Sequence, residues 1–134
     1  VSAVYVGTKW SRRAEAQAVM AQLRAMGHTI THDWTHEDEM AGATSAVRDA
    51  HFRGCALADA CGVAEAEVFL LLHDPAARGA YVELGMAIAL GVRVMVVGGA
   101  APGKDPALDC PIFYWLAEVE HYVDVESALG RLAR

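Results

Sequence analysis

The chain has little cysteine, and what it has is not arranged as a site. Cys55, Cys61 and Cys110 are an odd number with no Cys-x-x-Cys spacing, which argues against a disulfide framework or a zinc knuckle. A reducing cytoplasm is the expected compartment. Basic charge is also scarce: 11 Lys and Arg against 17 Asp and Glu give a formal net charge of −6. A polymeric nucleic-acid partner calls for a basic face, so none is expected, whereas one nucleotide needs only one or two local cations. Long apolar runs are missing too. Crossing a bilayer takes about 20 residues, and the longest run, Val92 to Ala101, contains Arg93, so no membrane partner is expected. No basic stretch followed by an apolar one marks a secretory signal; the chain begins at Val1 rather than Met, as a trimmed start would.

Several motifs are absent as well. Gly-x-Ser-x-Gly does not occur, which removes the nucleophile elbow of serine hydrolases. Gly98-Gly99-Ala100-Ala101-Pro102-Gly103-Lys104 has the glycines of a phosphate loop, but no Ser or Thr follows Lys104 and no helix pattern follows it. His28, His32 and His36 are spaced by four and would converge on one helix. Gly27, Thr29, Ile30 and Thr31 make that segment a strand and loop instead, so neither a metal nor a cofactor is expected.

What remains is a strand–helix alternation over 134 residues, the length of one domain. The hydrophobic fraction of 54% and the charged fraction of 21% are enough for a real core. Ser2 to Gly7 reads as a buried strand. Ala16, Val19, Met20, Leu23 and Met26 recur at helical spacing up to Gly27. His28 to His32 reads as a short strand, and Trp34 to Gly42 as a polar loop. Thr44 to about Cys61 reads as a helix with Val47, Ala50, Leu57 and Cys61 inward. Glu67 to Leu72 and Val92 to Val97 are apolar on both faces, as central parallel strands are. Ala80 to Leu90 is a helix of small residues, Ala100 to Pro111 a Gly/Pro loop, Tyr122 and Val123 a last strand, and Val125 to Leu132 a terminal helix.

This order predicts an α/β chain: a single domain, 1–134, with a doubly wound (flavodoxin- or Rossmann-like) parallel sheet of about five strands and helices on both faces. Ligands of such sheets bind beyond the carboxyl ends of the strands. The exit loops Thr8–Trp10, Asp74–Arg78 and Gly98–Lys104 are therefore expected to meet in one crevice.

One acid falls in that region. Glu83 is the only acid between Asp74 and Asp105. It is either a helix-end charge favoured by the macrodipole, worth about 0.3–1 kcal/mol, or a carboxylate able to attack a sugar carbon. A capping box does not explain it, because the residue three before it is Ala80. Tyr5, in the first strand, is either a core aromatic or the hydroxyl partner of a crevice carboxylate. Asp59 is an acid late in a helix, against the macrodipole. Trp10 is either a surface aromatic or a surface on which a base stacks, and Asp33, Trp34 and His36 line or cover the pocket.

Tyr5-Val6-Gly7-Thr8-Lys9-Trp10, Asp59 four residues before Val63, the strand Val68 to Leu72, and Gly79-x-x-x-Glu83-Leu84-Gly85 with Ala87, Ala89 and Gly91 together resemble the nucleoside 2-deoxyribosyltransferases. They resemble equally the deoxynucleoside 5′-monophosphate N-glycosidases. The resemblance runs from Val1 to about Val97. It implies that Glu83 is the nucleophile on the anomeric carbon, that Tyr5 orients it and that Asp59 binds a sugar hydroxyl. It further implies a small nucleoside or nucleotide substrate held by Gly7, Thr8, Lys9, Trp10, Ser11, Asp33, Trp34, Arg78 and Gly79, no cofactor, and a homodimer or larger homo-oligomer with shared sites. Deoxyribosyltransferases carry an acid six residues before the glutamate to handle the proton of the base; here that residue is Ala77, followed by Arg78. A phosphate would instead draw on Arg78, Lys9, Ser11, Arg12 and Arg13. The alternative reading is a non-catalytic nucleotide-binding or sensing module on the same scaffold. A structural subunit of an assembly would use the aromatics Phe113, Tyr114 and Trp115.

Overall fold

The computed structural model describes residues 1–37, 40–101 and 110–133. Five strands form one sheet: β1 (Ala3–Gly7), β2 (Thr29–Ile30), β3 (Val68–Leu72), β4 (Arg93–Val97) and β5 (Val119–Tyr122). Their spatial order is β2-β1-β3-β4-β5, and every pair is parallel. Four helices connect or close them: α1 (Arg13–Ala25), α2 (Ser45–Glu65), α3 (Arg78–Ala89) and α4 (Val125–Leu132). The chain runs outward from β1 to β2, crosses back over β1 to β3, and continues through β4 to β5. Right-handed crossovers then place α1 on one face and α2 and α3 on the other, where α2 and α3 pack against each other. The doubly wound α/β sheet of the sequence reading is the fold.

The strand order reverses direction between β1 and β3. Exit loops on either side of that point diverge and leave a crevice. Both strands are buried, as their unbroken apolar sequence requires: Val4, Tyr5 and Val6 pair with Val68, Phe69 and Leu70. The ring of Tyr5 stacks on Phe69 at 5.8 Å.

Three elements differ from their sequence reading. The second helix does not stop near Cys61 but continues to Glu65, and Val47, Ala50, Leu57 and Cys61 are exposed rather than inward, Leu57 by 66%. The reason is length. At 1.5 Å per residue a helix of this size is about 30 Å long, against about 17 Å for a five-residue strand, so only its C-terminal end reaches the sheet. There Gly62 is a contact residue rather than a helix stop: a Cβ on it would lie 2.7 Å from His32 Cβ and 3.0 Å from the Tyr5 ring. The last strand is Val119–Tyr122, and Val123 is 84% exposed. Its charged edge sequence hid it, since the Glu120 carboxylate faces Arg93 of β4 with contacts of 2.6 and 2.9 Å. Within the polar loop, Trp34–His36 forms a 3-10 turn capped by Asp33.

Tyr114 is also not a surface aromatic. It is fully buried, with its hydroxyl 2.9 Å from His73 Nδ1, while Phe113 and Trp115 are exposed. Most of the Gly/Pro loop, including Lys104, lies outside the described residues. The three histidines spaced by four do not converge. His28 Nδ1 accepts from the Ser2 amide, His36 lies 3.6 Å from Asp33, and His32 turns toward α2.

Candidate active site

A cavity of about 310 Å³ opens at the β1/β3 switch point. The β1 exit contributes Thr8, Lys9 and Trp10, and the turn after β2 contributes Trp34 and Glu37. Asp59 comes from α2, Ala76 to Ala80 from the β3 exit and the start of α3, and Glu83 from the second turn of α3. Of the three loops expected to meet, two line the cavity among the described residues, and residues 102–104 of the third lie outside them. Gly98 and Gly99 are not in the lining, because the β4 exit lies beyond β3, on the far side from the switch point.

The two exits are fastened together. Thr8 Oγ1 donates to the Leu72 carbonyl at 2.9 Å, and the Trp34 indole donates to the Val6 carbonyl at 2.6 Å. Trp10 and Trp34 stand 6.1 Å apart, tilted by 44°, and the Arg13 guanidinium lies 4.8 Å over the Trp10 ring. The α3 end is set by Asp74, whose Oδ1 accepts from the Ala76 amide at 2.8 Å and whose carbonyl accepts from the Tyr81 hydroxyl at 2.8 Å. Helix α3 then begins at Arg78 with no side-chain cap from Ala77.

Glu83 is held from below by the sheet. The buried Tyr5 hydroxyl donates to its Oε2. Gly7 lies under the Phe69 ring, which a Cβ there would approach to 3.0 Å, while Glu83 Oε1 at 3.6 Å would be in ordinary contact. Burial raises the Glu83 pKa to about 7; the Tyr5 hydrogen bond opposes this, while the charges of Asp59 and Glu37 add to it. The Tyr5 phenol is driven far above its ordinary value by burial and then by Glu83, so it stays a donor. Asp59 is raised to about 6, first by burial and next by the charge of Glu37, with His32 acting in the opposite direction.

The structure thus brings together Tyr5, Gly7, Thr8, Lys9, Trp10, Trp34, Asp59, Arg78, Gly79 and Glu83. It does not bring Ser11 or Asp33 into the lining. Ser11 is exposed in the turn before α1, and Asp33 is turned to Thr35 and Arg24. Arg12 is occupied as a strut, donating to Glu15 and to the His73 carbonyl and lying 3.7 Å from Asp74. Glu37 went unnoticed in the sequence, and His32 was weighed there only as a metal ligand. Glu37 sits in an acidic run that reads as solvated loop, and nothing local marks it out.

A doubly wound α/β sheet with a raised-pKa carboxylate at its switch point is a general design for small-molecule sites. No family model matches the chain, and no curated protein does. Among solved structures it is similar to the 2-deoxyribosyltransferase of the psychrotolerant bacterium Bacillus psychrosaccharolyticus, with a TM-score of 0.59 and 17% identity over 93% of this chain and 88% of that one. The chain therefore has a 2-deoxyribosyltransferase-like fold. No helix among the described residues is long and apolar enough to cross a membrane.

Proposed function

We propose that this protein cleaves the N-glycosidic bond of a (deoxy)nucleoside or its 5′-monophosphate, with Glu83 as nucleophile. The observation that carries the reading is the Tyr5–Glu83 pair: a carboxylate on the cavity wall, oriented by a buried phenol that cannot readily ionise. Glu83 attacks the anomeric carbon as the base departs, giving a glycosyl ester that water or a second base resolves. Trp10 and Trp34 offer faces for the base. Arg78 and the start of α3, where backbone N–H groups meet a positive dipole end, suit a 5′-phosphate. The fold likeness supports this chemistry without choosing between hydrolysis and transfer; adding a second free base and looking for a new nucleoside distinguishes them. The test of the mechanism is Glu83→Gln against a panel of nucleosides and nucleotides, with free base followed by chromatography. Unchanged base release by the folded variant refutes it.

Self-association belongs to the same proposal. Val82 on α3 and Ile112, Phe113 and Trp115 beyond β4 are exposed apolar side chains, the composition of an interface rather than a solvated face. Cys55 and Cys61, which form no disulfide, suit a reducing cytoplasm. Sedimentation that gives a monomer at every concentration rejects the oligomer.

A further inference from the structure

Three donors from separate stretches of chain meet in the wall of the cavity. His32 follows β2, Glu37 ends the Trp34 turn and Asp59 belongs to α2. One donor atom from each lies within 4.8 Å of the other two. His32 Nε2 stands 3.4 Å from Glu37 Oε2 and 3.3 Å from Asp59 Oδ1. Hydrogen bonds from a ring nitrogen to a carboxylate are shorter, about 2.7–3.2 Å. A tetrahedral centre about 2.0–2.1 Å from each donor, as Zn²⁺ lies, instead separates its donors by about 3.3–3.4 Å. The ring nitrogen carries at most one hydrogen, so it cannot serve both carboxylates. Asp59 Oδ1, the oxygen facing the ring, is shielded from solvent and has no hydrogen-bond partner among the described residues. A cation in front of the ring would satisfy all three donors. The His32, Glu37 and Asp59 side chains are only 27%, 19% and 28% exposed, which sets them apart from a solvated acidic patch.

We propose that His32, Glu37 and Asp59 hold one divalent cation of the Zn²⁺ class in the cavity wall. A neutral imidazole and two carboxylates suit that ion, and the two carboxylate charges balance it. Three protein ligands leave a fourth position. Glu37 and Asp59 line the cavity while His32 stands behind them, so the open position faces the space that Glu83 also lines. A water bound there would be acidified to a pKa of about 7. The frame is set by packing. A Cβ on Gly62 would lie 2.7 Å from His32 Cβ, so α2 is seated directly against the residue that supplies the ring, and the Glu37 amide is bonded to the Trp34 carbonyl at 3.1 Å. The set differs from the three histidines spaced by four, since His28 is turned to the Ser2 amide and His36 to Asp33. Its donors stand at positions 32, 37 and 59, so no spacing motif announces it. The site does not depend on the role given to Glu83.

The experiment is metal binding by the full chain, stripped with a chelator and titrated with Zn²⁺ by calorimetry and with Co²⁺ by visible absorption. The expected result is one ion per chain, with the intense visible band of tetrahedral Co²⁺ and no sulfur-to-metal charge transfer in the near ultraviolet. Removing even a partner of a metal ligand costs about 10–100-fold in affinity. His32→Asn, Glu37→Gln and Asp59→Asn are therefore each expected to weaken Zn²⁺ binding by at least about 100-fold. His36→Asn, at an exposed histidine of the same segment, is expected to bind as wild type does. Histidine ¹⁵N NMR of the wild type gives a readout that needs no variant to fold: the His32 ring is expected to shift on addition of Zn²⁺, through Nε2. Absence of binding by the stripped wild type overturns the site, as does a cysteine-type charge-transfer band. Binding unchanged in all three ligand variants, or weakened equally in His36→Asn, overturns it too. No substrate enters these measurements, so their failure leaves the glycosidase reading where it stands.

Discussion

The Tyr5 hydroxyl reaches Glu83 across 78 residues of sequence. One group sits in the middle of the sheet and the other in the second turn of a helix laid over it. The bond fixes the carboxylate's direction and tempers the effect of its burial.

Glu83 therefore costs the fold stability when ionised. Its pKa is about 7 in the folded chain against 4.5 in an unfolded one. Between those values the native state holds more protons, so stability falls as pH rises through that window. Glu83→Gln keeps an oxygen for Tyr5 and removes the charge. Chemical denaturation is expected to show it more stable than wild type by about 3 kcal/mol well above pH 7, with the difference gone below pH 4.5.

Tyr5→Phe deletes the interaction that lowers the Glu83 pKa, so less of the nucleophile is ionised at neutral pH. The expected result is a loss of about 10-fold or more in kcat/KM at pH 7, with the rising limb of the pH profile displaced to higher pH. A profile displaced the other way contradicts the role given to Tyr5.

Gly62→Ala places a methyl 2.7 Å from His32 Cβ and 3.0 Å from the Tyr5 ring. Since α2 must shift to relieve this, the variant is expected to lose about 1–3 kcal/mol and to lose activity as well, because Asp59 moves with the helix. Thermal unfolding and base release test both halves. At Gly54, where a Cβ meets nothing within 4 Å, the same substitution is the control.

Arg78→Ala separates nucleotide from nucleoside. A phosphate contact predicts a loss of about 10–100-fold in kcat/KM on 5′-monophosphates and little change on nucleosides. Equal losses on both substrates reject the contact.

The alternation of doubly apolar strands with amphipathic helices was enough to give the α/β class and the places of β1, β3 and β4 in the chain, because strands buried on both faces leave no polar position to disguise them. It was also enough to single out Glu83, whose acid stands alone in an apolar run. The ends of the domain were harder to read. The edge strand β5 uses an ion pair that looks like surface sequence, and the far turns of α2 carry apolar residues with no sheet beneath them.

The sequence by itself determined the scaffold and singled out Glu83, because both are written in local pattern. Only the tertiary structure decided what stands beside that carboxylate. Glu37 and Asp59 are separated by most of α2, and nothing in the residues between them signals a pairing. Both reach the cavity because α2 crosses back over β1 and Gly62 lets it settle against Tyr5 and His32, an approach invisible to either segment alone.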